Sequence, residues 1–379
     1  MHTDPDSDAA VTLFLCGDVM TGRGIDQILP HPGNPELHEP YQVSALDYLQ
    51  LAEEASGPIA RPVDFAYIWG DALAEFEHAA PDARIINLET SVTRRDTWLA
   101  KGINYHMHPD NIPCLTAAGI DCCVLANNHV LDFGPAGLEE TLETLQRAGL
   151  QTAGAGRNRE AATAPAVITL PDGGRVLVFG FGSETSGIPR NWAATATRPG
   201  VDLLDDLSER TVRQITARIQ AVRRPGDIVV ASIHWGANFD YAIAPEQIRF
   251  AHALIDEAGV AVVHGHSSHH VKGIEVYRDR PILYGCGDFL NDYEGIRGYE
   301  DYRGDLGLMY FVTVERATGR LRRLDLTPTC IRRFQVRRAA ADEAQWLCEV
   351  LNRESARFGV SVTRRNDDRL TLRWGGVER

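Results

Sequence analysis

The chain has 379 residues, and its 38 lysines and arginines against 52 aspartates and glutamates give a formal net charge of −14. This balance argues against sequence-independent nucleic-acid binding, which depends on cations that neutralise phosphates, and against binding to an anionic membrane surface. The length allows one large α/β domain with a well-developed core, or two domains.

The start of the chain bears on its location. Residues 1–18 carry no positively charged segment, and the apolar run VTLFLC is much shorter than the ~18 apolar residues of a membrane-spanning helix. We therefore expect a cytoplasmic protein. The seven cysteines show no CxxC spacing and lie mostly in apolar stretches, which favours buried, reduced thiols over disulfides or a zinc site.

Short β-rich runs then alternate with helical patterns. Strands are predicted at VTLFLC (11–16), ARIINL (83–88), DCCVLA (121–126), RVLVFGF (175–181), DIVVASI (227–233) and GVAVVH (259–264). Helices are predicted at 134–149, 207–222 and 245–259. Because continuous apolar strands between helices are typical of a sheet buried on both faces, we expect an α/β fold.

Hairpin-connected strands are predicted further along the chain. PILYG (281–285), LGLMYFVTVE (306–315) and RLRRLDLTPT (320–329) indicate a mixed sheet or a second sheet layer, with a turn at ATGR. The segment 341–358 then predicts a helix, and RLTLRWGG (369–376) predicts a strand. We therefore divide the chain into a main domain at 10–333 and a small α+β appendix at 334–379.

Polar residues that can bind a metal follow five of the predicted strands. They are Asp18, Glu89, the group Asn127, Asn128, His129 and Asp132, then His234, and finally His264, His266, His269 and His270. In open α/β sheets, ligands bind outside the carboxyl ends of the strands, so we expect these side chains to converge. Carboxylate, amide and imidazole ligands suit Zn, Mn or Fe.

Several of these segments together resemble a known family. The motifs GDVMTGR, NLE, ANNHVLDFG, the GAG at 154–156, HWG and GHxxH…GIE resemble the CapA-like family of poly-γ-glutamate capsule proteins, over residues from about 11 to about 315. That family is built on the calcineurin-like metallophosphatase fold. The resemblance implies a mixed β-sheet sandwich flanked by helices.

The resemblance also implies a set of metal ligands. Asp18, Glu89 and His269 would bind one metal, with Glu89 bridging to a second metal held by Asn128, His234 and His266. His129 would be the acid/base histidine beside the site, oriented by Asp132. We expect His264 at a strand end or supporting a ligand, and His270 at the surface or on the substrate side.

The chain departs from the family pattern at several positions. Met20 stands where metallophosphatases carry a histidine ligand, GHSSH replaces GHHPH, and Tyr105-His106 replaces Phe-Arg. The late Gly-Asn-Phe motif is Gly287-Asp288-Phe289, which adds an acid near the mouth of the site. Losing an arginine weakens the case for an anionic substrate group, because arginine is the favoured bidentate partner of carboxylate and phosphate.

Four residues are predicted to contact substrate: Arg23, His106, Trp235 and Asp288. Arg23 could hold a substrate carboxylate or form a salt bridge that pins its own loop. Aromatic residues near the expected mouth could receive an apolar terminal residue or could simply pack. They are Trp69, Trp98, Trp192, Trp235 and Tyr293.

Three functions fit this pattern. We expect a peptide epimerase, similar to relatives that tailor lasso peptides, which inverts the Cα of the C-terminal residue of a ribosomal precursor peptide. A carboxylate such as Asp18 and a histidine among His129, His266 and His269 would act as base and acid, and metal would then be unnecessary. Its partners would be the peptide and a leader-binding protein, and no organic cofactor is expected.

The alternatives are a metal-dependent hydrolase and a binding protein. In the hydrolase, two metals would act on an amide, γ-glutamyl or phosphoester bond, and His129 would protonate the leaving group. In the third hypothesis the fold serves as a non-catalytic binding or assembly factor. The lack of a predicted membrane anchor and the lost arginine favour an intracellular peptide substrate, hence the epimerase.

Overall fold

Two large β-sheets form the centre of the molecule, and the structure, a computed structural model, describes them within residues 10–375. The strands are β1 (Ala10–Val19), β2 (Ala83–Leu88), β3 (Ser91–Val92), β4 (His106–Met107), β5 (Cys122–Val124), β6 (Gln151–Ala153), β7 (Ala155–Gly156), β8 (Ala166–Thr169), β9 (Arg175–Gly182), β10 (Gly200–Val201), β11 (Ile228–His234), β12 (Val262–His266), β13 (Ile274–Tyr277), β14 (Arg280–Leu283), β15 (Asp288–Leu290), β16 (Leu306–Glu315), β17 (Leu321–Ile331), β18 (Val336–Arg338), β19 (Ser361–Arg364) and β20 (Leu370–Arg373).

Helices occupy much of the chain between these strands. They are α1 (Arg23–Ile28), α2 (Ala45–Ser56), α3 (Ala72–Ala79), α4 (Pro113–Thr116), α5 (Gly134–Arg147), α6 (Arg159–Thr163), α7 (Glu209–Val222), α8 (Pro245–Ala258) and α9 (Ala341–Ser355). Among the described residues, no helix combines the length and the apolar character that crossing a bilayer requires.

Both large sheets mix parallel and antiparallel pairs. The first sheet has ten strands, in the order β19-β20-β17-β16-β1-β2-β5-β6, with β15 pairing β1 and β18 pairing β17. The second sheet has six strands, in the order β13-β14-β12-β11-β9-β8. In the first sheet β1, β2, β5 and β6 run parallel, and in the second β9, β11, β12 and β14 do. Their carboxyl ends carry the polar residues predicted above.

The two sheets pack face to face through alternating apolar side chains. Leu13 and Leu15 of β1 join Val176 and Val178 of β9 in one buried cluster between the sheets. Phe14, between the two leucines, points to the other face. Successive residues of a strand point to opposite faces, so a continuous apolar run is expected where both faces are covered.

Helices cover the two outer faces. Leu138 and Leu145 of α5 pack in the cluster on the outer face of the first sheet. Ile215 of α7 and Leu254 of α8 pack on the outer face of the second. The molecule is therefore a mixed β-sheet sandwich flanked by helices, and this prediction of the fold class is confirmed.

The C-terminal segment is continuous with the first sheet. Strand β20 pairs with β17, Leu370 lying opposite Leu326, and β19 pairs with β20. Leu347 and Leu351 of α9 join the cluster that also holds residues of both sheets. Strands after residue 334 thus extend the main sheet, and the division of the chain at residue 334 stays a prediction. Gly376, the end of the strand predicted at 369–376, lies outside the described residues.

All seven cysteines are buried and unpaired, as predicted. Several elements were not predicted from the sequence, among them α1, α2 and α3, which precede β2. Helix α2 begins at a capping box in which the Ser44 side chain accepts a hydrogen bond from a backbone amide, and the Asp47 carboxylate accepts one from the Ser44 backbone.

Candidate metal-binding and catalytic site

The predicted metal ligands lie at the carboxyl ends of strands from both sheets. Asp18 is near the end of β1, and Glu89 directly follows β2. His234 and His266 are the last residues of β11 and β12 and lie opposite each other in the parallel register. All four side chains are buried. The sandwich therefore brings together residues that are more than 200 positions apart in the chain.

Asp18, His234 and His266 form the closest group. Their ligand atoms all lie within 4.8 Å of one another. Nδ1 of His234 is 2.8 Å from Nδ1 of His266, and these two atoms lie 3.9 and 3.7 Å from Oδ1 of Asp18. This grouping differs from the predicted one, in which Asp18 belonged to one metal and the two histidines to the other.

The other edge of His234 faces Asn128 and Glu89. Its Nε2 lies 3.0 Å from Oδ1 of Asn128 and 3.7 Å from Oε1 of Glu89. His234 thus stands between the Asp18–His266 side and the Asn128–Glu89 side. Five of the six predicted ligands share one site.

His269, the sixth, is paired with a carboxylate. Its Nδ1 lies 3.0 and 3.1 Å from the two oxygens of Asp288, and Asn291 donates a hydrogen bond to the same carboxylate. Burial lowers the pKa of His269, but Asp288 and then Asp18 outweigh it and raise that pKa above the ordinary histidine value. His269 is therefore the site histidine that favours a proton.

A hydrogen-bond chain behind His266 determines which of its nitrogens is free. Nε2 of His264 lies 2.7 Å from the carbonyl oxygen of Cys16, so it must donate. Nδ1 of His264 then accepts from the Ser232 hydroxyl at 3.0 Å, and the Ser232 oxygen accepts from Nε2 of His266 at 2.9 Å. Nδ1 of His266 is consequently unprotonated and faces Asp18, as a metal-ligating nitrogen must.

The charges of the site fit a divalent cation. Burial and repulsion by Asp288 raise the pKa of Asp18 to about 8, and burial followed by Asp18 raises the pKa of Glu89 well above its ordinary value. Burial also lowers the pKa values of His234 and His266. Two crowded carboxyl groups beside imidazoles with lowered pKa values form a donor set that suits Zn, Mn or Fe.

His129 lies beside this group in a pair with Asp132. Its Nδ1 is 2.7 Å from Oδ2 of Asp132 and therefore donates, which leaves Nε2 without a partner among residues 10–375. Nζ of Lys101, which the sequence did not reveal, lies 2.8 Å from Oδ1 of Asp132 and 3.3 Å from Nδ1 of His129. Burial and Lys101 lower the pKa of His129, whereas burial raises that of Asp132 to about 7 despite Lys101.

Two tyrosines connect His129 with His269. The ring of Tyr105 stacks on His129 with centroids 3.9 Å apart, and the ring of Tyr293 meets His269 edge-on at 5.6 Å. Their hydroxyl oxygens are 2.7 Å apart. The sequence analysis named Tyr293 as an aromatic residue near the mouth, and Tyr105 as a departure from the family's Phe-Arg motif. No periodic pattern marked either residue as a contact of a histidine.

Arg23 does not have the free donors that its predicted substrate role requires. Its Nε and one terminal nitrogen bond the Asp292 carboxylate, and the other terminal nitrogen bonds Glu39 at 3.1 and 3.2 Å. The guanidinium also lies 3.7 Å from the ring centroid of Tyr48, and its side chain is 2 % exposed. The contacts match the alternative, a buried salt bridge that pins the loop.

Trp235 packs in the core, contrary to its predicted contact with substrate. It is 2 % exposed, and its indole N–H donates to the carbonyl of Tyr284. His270, expected at the surface or on the substrate side, is 1 % exposed and accepts a hydrogen bond from the backbone of Asp240. Both side chains are therefore held by other parts of the protein and do not face solvent.

The remaining predicted substrate residues divide between two places. Asp288 borders the metal-ligand group through His269. His106 lines a separate small cavity with Trp98, and burial lowers its pKa to about 4. His106 is therefore not grouped with the metal-ligand set.

The family model and the relatives found by comparison with known proteins agree on one family. The model of the family described as bacterial capsule synthesis protein PGA_cap matches residues 12–293. A probable polyglutamine synthesis accessory protein of Mycobacterium tuberculosis is 47 % identical over 374 residues, which are 98 % of this chain and 97 % of that protein.

More distant relatives carry capsule-related names. The capsule biosynthesis protein CapA of Bacillus anthracis is 26 % identical over 74 % of this chain and 60 % of its own length. The PGA biosynthesis protein CapA of Bacillus subtilis is 26 % identical over 85 % of this chain and 72 % of its own length.

Proposed function

Because this chain belongs to the bacterial capsule synthesis protein PGA_cap family, we propose that it is a metal-dependent hydrolase that cleaves an amide bond in a chain of amino acids. The observation that carries the proposal is the group of Asp18, His234 and His266, whose ligand atoms lie within 4.8 Å of one another. Asn128 and Glu89 lie beside His234. The names of its relatives support a role as an accessory to a system that synthesises such a polymer.

The residues that would hold the metal are those of the buried group. Asp18, His234 and His266 are the core of the set, and Glu89 and Asn128 border His234 on its other edge. A divalent ion held there would supply positive charge that polarises the scissile carbonyl and makes water more acidic. His266 offers its Nδ1 lone pair because the Ser232–His264 chain fixes its tautomer.

His129 is the acid/base residue of the proposed reaction. Asp132 accepts a hydrogen bond from the Nδ1–H of His129, so Nε2 is free to take a proton from the attacking water and pass it to the leaving amine. Lys101 holds the Asp132 carboxylate by an ion pair. Asp288 and Asp18 raise the pKa of His269, which lies at the edge of the site.

Metal reconstitution tests this proposal. The chain is stripped with a chelator, reloaded with Mn, Zn or Fe, and assayed for new amines on γ-glutamyl and α-peptide oligomers. Cleavage that appears only in the loaded protein and is lost in Asp18→Asn supports the hydrolase. Cleavage of equal rate in the metal-free protein would overturn it.

A peptide epimerase is the second candidate, favoured by a different observation. Two histidine–carboxylate pairs, His129–Asp132 and His269–Asp288, border the site, and their environments move the two histidine pKa values in opposite directions. A neutral and a protonated histidine could remove and return a Cα proton. We place the epimerase second because hydrolysis would use the buried metal ligands, whereas epimerisation does not require a metal.

Deuterium incorporation separates the two candidates. The chain is incubated in D₂O with a peptide, and the mass and the stereochemistry of the product are followed. One deuteron gained at Cα without chain shortening supports epimerisation, whereas shortened products without inversion support hydrolysis.

The other predictions on partners and location stay open to test. A ribosomal precursor peptide, its leader-binding protein and a non-catalytic assembly role are predictions, as is the cytoplasmic location. Fractionation of cells that produce the tagged chain would test the location. If the chain is an assembly factor, the Asp18→Asn and His129→Ala variants should still replace the unchanged chain in cells. If it is an enzyme, they should not.

A further inference from the structure

A cavity of about 460 Å³ opens beside the candidate site on the side of His269. We call it the side pocket. The buried residues His269 and Asn291 line it together with Tyr293, and Phe239, Ile296 and Tyr299 contribute apolar surface. Asn291 donates a hydrogen bond to Asp288, the partner of His269. A group in this pocket would therefore lie beside His269, at the edge of the candidate site.

The pocket has an aromatic wall. The rings of Phe239 and Tyr299 stack with centroids 3.9 Å apart and an interplanar angle of 10°. Phe239 also lies 5.2 Å from His269, centroid to centroid. Tyr299 is 54 % exposed and Ile296 is 44 % exposed, which leaves apolar surface open to solvent at the rim. Apolar surface that lines a concave site is typical of a site for an apolar ligand group.

The cations of the pocket wall are already paired. Arg303 forms two contacts of 2.8 Å with Asp305, and Arg332 lies 2.8 Å from Glu343. Arg332 also approaches Asp305 at 3.5 Å. Neither arginine is therefore available to a new carboxylate without giving up a partner.

The other charged residues of the wall are acids. The Glu294 carboxylate accepts hydrogen bonds from the backbone amides of Arg333 and Phe334, and Glu300 accepts one from Gly298. An anionic side chain in the pocket would face these carboxylates, and His269, which also lines the pocket, is itself paired with the Asp288 carboxylate. Like charges brought together out of bulk water repel, so the pocket disfavours a glutamate side chain.

We propose that the side pocket binds an uncharged aromatic or branched apolar side chain of the substrate, at the residue that flanks the reacting bond. This inference rests on the proposed function, since it takes the neighbouring group as the reacting centre. It implies that a homopolymer of glutamate is not the only chain that the protein acts on. The aromatic wall and the paired charges select against the acidic residue and for the apolar one.

Binding without turnover tests the proposal. The full chain is titrated with N-acetyl-phenylalanine amide, N-acetyl-leucine amide and N-acetyl-glutamate amide, and dissociation constants are measured by ligand-observed NMR. We expect the two apolar amides to bind more tightly than the glutamate amide. In Tyr299→Ala the phenylalanine amide should bind about two- to tenfold more weakly, the range expected for the loss of one aromatic contact.

Tyr41→Ala is the matched control, because Tyr41 is a tyrosine that is 87 % exposed and does not line the pocket. It should leave all three dissociation constants unchanged. Equal or tighter binding of the glutamate amide, or an unchanged constant in Tyr299→Ala, would overturn the inference. If the apolar amides bind as expected but no metal-loaded protein cleaves any bond, the hydrolase proposal is wrong. The inference that the side pocket binds apolar side chains is then retained.

Discussion

Asp18 and Asp288 lie opposite each other in the parallel pairing of β1 and β15, and both side chains are buried. Burial and the neighbouring Asp288 raise the pKa of Asp18 to about 8. The strand pairing therefore forces two acids together at the end of the sheet. Without a cation, Asp18 is mostly protonated at neutral pH.

The stability of the metal-free protein should consequently fall as the pH rises from 5 to 8. Because the folded pKa of Asp18 is above its ordinary value, the stability contributed by the proton is complete below about pH 4 and is lost as the pH passes 8. Thermal unfolding of Asp18→Asn should show a shallower decline. A divalent ion at 100 times its Kd adds about 2.7 kcal/mol and should oppose the decline. An unchanged pH slope in Asp18→Asn would contradict the assignment.

Ser232→Ala should weaken metal binding. The substitution removes the hydroxyl that links His264 to His266, so Nδ1 of His266 is no longer held unprotonated. Loss of such a supporting hydrogen bond reduces metal affinity by about 10–100-fold. Calorimetric titration with Mn or Zn measures the change. Ser355→Ala, which removes a buried hydroxyl far from the site, should lower stability without changing the affinity.

His129→Ala should slow the reaction and leave metal content intact. General acid–base catalysis contributes about 10²–10⁴-fold, so kcat should fall within that range. Elemental analysis of the loaded variant checks that the metal is retained. His252→Ala is the control, since His252 stacks on Tyr277 and bonds Glu275 away from the site. A loss of metal in His129→Ala would instead assign His129 to the ligand set.

Lys101→Met should shift the pH dependence of the reaction upward. Burial raises the pKa of Asp132 and Lys101 lowers it, so without Lys101 the pKa should move above its present value of about 7. More Asp132 is then protonated at pH 7, and His129 loses its acceptor. Activity should drop at pH 7 and recover toward pH 9, and Lys101→Arg should restore most of it. A uniform loss at every pH would mean that Lys101 acts only on folding.

The fold could be predicted where both faces of a strand are apolar. The run at 83–88 became β2 without change, because its residues are buried on both sides. In contrast, the strand predicted at 11–16 extends from Ala10 to Val19. Its polar end interrupts the apolar run, and pairing with β2 and β15 keeps it extended. Such long-range pairing is not visible in a local pattern.

The same limit applies to the C-terminal segment. The helix and the strand predicted there are present as α9 and β20. Their attachment to the first sheet depends on the register of Leu370 opposite Leu326, and nothing in the local sequence specifies that register. A local pattern predicts the elements and leaves open the sheet that they join.

The position of the site could be predicted because its residues follow strands. The side chains that pair with these residues could not be predicted. Arg23 is paired with Asp292, which is 269 positions away, and the sequence left open whether it binds substrate or a neighbour. Lys101 lies in a loop with no periodic pattern and reaches Asp132 by a long side chain. Side-chain pairs formed across loops depend on the tertiary fold alone.

Gly17→Ala should disrupt the relationship between Asp18 and Asp288. A Cβ at position 17 would lie 1.8 Å from the carbonyl oxygen of Gly287, a backbone atom that cannot move without displacing β15. We expect a loss of roughly 3 kcal/mol in the free energy of unfolding, the upper part of the usual range for overpacking, together with weaker metal binding. Gly359→Ala isolates backbone strain, because Gly359 has a φ of +69° and open space around it, and it should cost about 1 kcal/mol with unchanged metal affinity. Denaturant unfolding and metal titration of both variants measure the difference. Equal losses of stability in Gly17→Ala and Gly359→Ala would show that β1 can move away from Gly287 at little cost. The close packing of Asp18 and Asp288 would then not depend on a glycine at position 17.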